Sequence, residues 1–149
     1  MQFTEAKLGR VFVIRLHDKD HLPDVLESFA EQNRIASALC FLVGGVKGKG
    51  RVVVGPEGSG ETLPVTPVVT LLSGVSEVCG VGTIFQNEEG KPKLHMHASF
   101  GRGEKVLTGC VRMGIDVWKI GEVVVLELAD VKAQRVLEKE TGFELLETK

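Results

Sequence analysis

The chain has no excess of basic charge: 18 lysines and arginines against 20 acidic residues leave a formal net charge of −2 over 149 residues. A domain that binds nucleic acid by displacing counterions from phosphates is ordinarily basic, so that footprint is missing from the chain as a whole, and only a local patch stays open. Cysteine is also sparse. Cys40, Cys79 and Cys110 stand at unrelated spacings with no CxxC among them, which excludes a disulfide framework and suits a reducing compartment. No apolar run approaches the roughly 20 residues of a membrane helix, and stretches such as residues 123–128, interrupted by Glu127, fall far short. The start, MQFTEAKLGRVFVIRL, lacks a charged head ahead of an unbroken apolar stretch and does not read as a signal peptide. The expectation is a soluble, cytoplasmic protein. There is no repeat with a period of about 20 to 50 residues and no low-complexity linker. With 43% hydrophobic and 26% charged residues, the chain has material for one domain, residues 1–149, and too little for two.

Local patterning gives a strand at residues 10–16, RVFVIRL, rich in β-branched and aromatic side chains. Over residues 19–35 the period changes: Leu22, Val25, Leu26, Phe29 and Ala30 follow the spacing of a helix with one buried face, with Pro23 suited to its first turn and Asn33 able to close it. Residues 36–46, ASALCFLVGGV, read as a strand buried on both faces and ending in a tight turn at the paired glycines. Short strands are expected within 47–67 and at 68–78, 81–86 and 115–128, with an exposed turn at 87–92. The tail, residues 131–146, reads as a strand, a turn and a last strand. One helix and many hairpin-linked strands define an α+β domain on a largely antiparallel sheet.

Residues 93–111, KLHMHASFGRGEKVLTGCV, carry the chemistry. If 93–100 and 105–112 are partner strands joined by GRGE, alternation puts Leu94, Met96, Ala98 and Phe100 on one face and His95, His97 and Ser99 on the other. A turn centred between Arg102 and Gly103 sets His95 opposite Cys110 and His97 opposite Thr108. The three side chains then converge, and two imidazoles with a thiolate form a zinc-type ligand set with a fourth position open. The competing reading is a half-exposed strand whose histidines bond to neighbours while Cys110 packs as a small apolar residue. His17 and His21, in HDKDH, read as a solvated turn. Cys40 and Cys79 read as packing.

Taken together, the order of elements, the LSG at 72–74, GKPKLHMHASFGR at 90–102 and ETGFELL at 140–146 resemble the PPC domain, the plants and prokaryotes conserved domain. The resemblance spans roughly residues 7–147. It implies a curved, mainly antiparallel sheet with one amphipathic helix packed on it, a homotrimer, and a structural relationship to acetolactate decarboxylase, a metal-dependent lyase. It also implies a metal ion at three histidines. His95 and His97 match two of these, whereas Thr108, Gly109 and Cys110 stand where a glycine-glycine-histidine motif is expected. Cysteine can replace histidine as a ligand and favours zinc over harder metals.

The resemblance carries two functional implications. The first is a metal-binding, oligomeric binding or assembly module at His95, His97 and Cys110. DNA association belongs to it through the plant members, although this chain has no AT-hook and its nearest basic cluster is Lys47, Lys49 and Arg51. The second is a zinc-dependent lyase or hydrolase acting on a small oxygenated substrate. No general acid or base stands out for it: Glu104 is too near the turn, and Arg112 could at most position an anion.

Overall fold

The computed structural model describes residues 1–148. Strand β1 (Lys7–Leu16) is followed by a two-residue strand β2 (His21–Leu22), whose partners are Asp116 and Ile115. Helix α1 (Asp24–Gln32) begins only after Pro23. The helix is therefore shorter than the expected 19–35, because residues 21 and 22 find backbone partners in a strand and Asp20 N–H closes a turn on the His17 carbonyl at 3.1 Å. Asn33 ends the helix as expected, its Nδ2 donating to the Phe29 carbonyl at 2.9 Å. The periodic residues do define the buried face. Leu22, Leu26 and Ala30 are fully buried, and Val25 and Phe29 pack against the core.

The remaining strands are β3 (Ser37–Val46), β4 (Arg51–Pro56), β5 (Pro67–Leu71), β6 (Ser76–Gln86), β7 (Pro92–Arg102), β8 (Lys105–Cys110), β9 (Ile115–Ala129), β10 (Ala133–Glu138) and β11 (Phe143–Thr148). Nine of the eleven strands form one sheet in the order β1-β9-β3-β6-β7-β8-β4-β5, with β2 beside β9, and β10-β11 make a separate hairpin. Every strand pairing is antiparallel. The sheet does not close into a barrel, and α1 is the single α-helix among the described residues. The α+β expectation holds. The expected strands at 68–78 and 81–86 regroup: the break falls after Leu71, and Ser76 to Gln86 runs unbroken through Cys79 and Gly80.

Alternation decides the layers. One face carries Ala38, Cys40, Leu42, Ile84, Leu94, Met96, Ala98, Phe100, Val123 and Val125 into a core that also takes Leu26 and Ala30 from the helix. The other face is bare along β1, β9 and β3, while the β10-β11 hairpin covers it at the C-terminal end of β6, where Arg135 reaches Thr83 and Phe85. Strand β3 was expected to be buried on both sides, but Phe41 is 41% exposed and Val43 is also exposed, since the single helix covers only one face. Pairing lines up a row across five strands, Val13, Val124, Phe41, Val81 and His97, which Cys110 continues on β8. Val13 is 82% and Val81 51% exposed, so an apolar surface adjoins the histidines.

Candidate metal centre

Strand β7 runs on to Arg102 and β8 starts at Lys105, so the hairpin turns on Gly103 and Glu104 alone, with Gly103 in the left-handed region at φ 59°. The expected register is thereby corrected by two residues. His97, not His95, stands opposite Cys110, and Thr108 faces Ser99, with 2.8 Å between their hydroxyl oxygens. A slip of two preserves the face, whereas a slip of one would have sent the cysteine into the core. The donor atoms of His95, His97 and Cys110 therefore all lie within 4.8 Å of one another, and the two histidine Nε2 atoms are 3.2 Å apart.

Cys110 is buried and the histidines are exposed. Its position depends on its neighbour. A Cβ on Gly109 would strike the Val53 carbonyl, so only glycine lets β4 come in to pair Val53 with Cys110. His95 is held below the ordinary imidazole range, first by desolvation and then by the Arg135, His97 and Arg112 charges. Those influences favour the neutral ring, the form that binds metal.

Beyond the end of β8 the edge of β7 is open, and the Leu94 N–H donates to the Glu27 carboxylate at 3.0 Å. A cleft of about 690 Å³ occupies this edge, between the start of α1 and the β10-β11 hairpin, and His95 is in its wall. Arg135 reaches into the same wall from β10. It is 6% exposed, and its guanidinium donates to Thr83 Oγ1 at 3.1 Å and to the Glu144 carbonyl at 3.4 Å. Thr83 lies opposite His95 on β6. Arg112 completes the group, stacked 5.4 Å from the centre of the Phe143 ring.

The chain matches the family model of the Plants and Prokaryotes Conserved (PCC) domain over residues 3–129. It belongs to the PCC, or PPC, domain family. Solved structures agree on the fold. A metal-containing protein of Archaeoglobus fulgidus is 24% identical, with a TM-score of 0.82 over 97% of this chain and 98% of its own. A PPC protein of Pyrococcus horikoshii is 23% identical, with a TM-score of 0.83 over 100% and 99%. A Bacteroides thetaiotaomicron protein, provisionally described as DNA-binding, is 16% identical, with a TM-score of 0.74 over 96% and 97%. No curated protein matches the chain.

The PCC match ends before β10, so Arg135 comes from a hairpin outside it. Sequence reasoning had no means to find this residue, because an arginine in a short tail strand looks like any solvated charge. Cys40 is a packing thiol, as its apolar surroundings in the sequence imply, and burial pushes it up to about 12. Cys79 is not: it is exposed on the bare face, opposite Ser99. His21 pairs with Asp116 at 2.6 Å, and Glu104 sits in the hairpin turn, away from the donor atoms.

Proposed function

We propose that this PCC-domain chain is a metal-binding module that works as an assembled homo-oligomer, with zinc or a similar divalent ion held by His95, His97 and Cys110. The observation that carries the reading is the convergence of three donor atoms within 4.8 Å. In a tetrahedral zinc site, Zn–N near 2.0–2.1 Å and Zn–S near 2.3 Å put neighbouring ligand atoms about 3.3 to 3.6 Å apart. The histidine spacing of 3.2 Å suits that geometry, and the sulfur need close by little more than about 1 Å. The A. fulgidus relative is a metal-containing protein, which supports the same assignment. Three protein ligands leave one position for a fourth group, and the bound ion supplies a Lewis acid there.

The bare apolar row from Val13 to Val81 supports association of copies, and the family resemblance is what favours a trimer among the possible assemblies. A zinc-dependent lyase or hydrolase is the alternative. What favours it is the cleft opening beside His95, and turnover of small carboxylates or esters that stops on chelation would establish it. DNA association is suggested by the description of the Bacteroides relative, and it rests on no basic surface identified in this chain. Elemental analysis of tag-free protein tests the metal reading. Metal in the wild type and its loss in His97→Ala are expected, and no metal in either would refute it.

A further inference from the structure

Arg135 presents an anomaly of charge. It is 6% exposed, yet among the described residues no carboxylate lies within ion-pair distance, Glu144 acting on it only from farther off, and its Nε–H has no hydrogen-bond partner. Buried charges are ordinarily paired and buried donors ordinarily satisfied. The cleft holds a second cation, Arg112, likewise without a carboxylate partner among the described residues. Glu27, on the helix side, is already engaged by the Leu94 N–H and by Lys93 at 3.5 Å. Two guanidiniums therefore face a space of about 690 Å³ that Asp24 and Glu144 also line, without an ion pair to either arginine, and whose apolar walls include Leu94, Phe143 and Leu145.

We propose that this cleft binds a small organic carboxylate, its charged end held by Arg135 and Arg112 and its apolar body against Leu94, Phe143 and Leu145. Planar, forked guanidinium groups match the geometry of a carboxylate, and the apolar walls distinguish an organic acid from an inorganic anion. His95 shares the wall, so the bound acid would lie beside one of the three residues that would hold the metal. The inference builds on the metal reading and names the kind of molecule that the site receives.

Benzoate, benzamide and inorganic phosphate are suitable probes, titrated calorimetrically into the full chain with zinc content measured on the same samples. Benzoate should bind saturably and both controls far more weakly. Loss of a charge-assisted hydrogen bond predicts that Arg112→Gln, at an exposed position where folding is safe, weakens benzoate about tenfold, and that Arg135→Gln does so at least as much. Equal binding of benzoate and benzamide, phosphate binding as tight as benzoate, or an Arg112→Gln affinity within about twofold of wild type overturns the proposal. Zinc bound without benzoate binding overturns the carboxylate site alone. Benzoate bound by chelator-treated, zinc-free protein upholds it and shows that it stands without the metal.

Discussion

His97 stands directly across the β7-β8 pair from Cys110, and His95 lies one pleat repeat along the same face. A strand pair with a two-residue turn is enough to hold these side chains together. The metal reading and its tests follow from that relationship.

Removing the sulfur should cost affinity without costing the fold. Cys110 is small and buried beside Gly109, so Cys110→Ala leaves little void. Competition with a calibrated chelator should show zinc affinity reduced by more than about tenfold, since changes outside the ligand set alone commonly cost that much. An unchanged affinity would remove Cys110 from the site.

Gly109→Ala should act on the metal indirectly. The added methyl meets the Val53 carbonyl, so β4 and β8 must part and Cys110 must move with them. Both thermal stability and zinc affinity are expected to fall, while Gly101→Ala, whose Cβ meets nothing within 4 Å, should leave both nearly unchanged.

The bare sheet face should govern assembly. Sedimentation of the wild type is expected to give about three times the 16.1 kDa chain mass. Phe41→Glu sets an unpaired charge in the middle of the apolar row, which an interface tolerates poorly but a solvated monomer accepts. The variant should sediment as a monomer with its secondary structure intact.

Acid should loosen the β1-β9 edge. Arg10 grips Glu127 through Nε at 2.6 Å and its other arm at 2.8 Å, and also reaches the Asn33 carbonyl at 3.0 Å. These bonds hold the Glu127 carboxyl down from 4.5 to about 2. A depressed folded-state value means that the stabilisation is complete above about pH 4.5 and is lost as pH falls toward 2. Denaturant midpoints measured across that window should decline in the wild type, with a shallower slope in Glu127→Gln.

A gel shift at two salt concentrations addresses DNA. The chain's net charge is −2, and Lys47 of the nearest basic cluster is 3.5 Å from Asp18, so no salt-sensitive retardation is expected.

Much of this fold was legible in the sequence. Period changes marked the helix face through Leu26 and Ala30, and alternation placed His95, His97 and Cys110 on one side of a hairpin. The register was not legible, because GRGE accommodates more than one turn centre and local sequence distinguishes them weakly. Nor was the exposure of Phe41 and Val43: a continuous apolar run looks the same whether its second face is covered by a helix or left exposed. Arg135 was beyond reach for a different reason. Its role depends on how the β10-β11 hairpin packs beside Thr83 and His95, a long-range contact that no local pattern encodes.

Cobalt(II) titration of metal-free protein, followed by its absorption spectrum, tests the central claim most directly, since one experiment reads stoichiometry and sulfur ligation together. Saturation at one ion per chain with a thiolate-to-cobalt charge-transfer band, absent from Cys110→Ala, is the predicted result. Failure to saturate, or saturation without that band, would contradict the assignment of His95, His97 and Cys110 as one metal site.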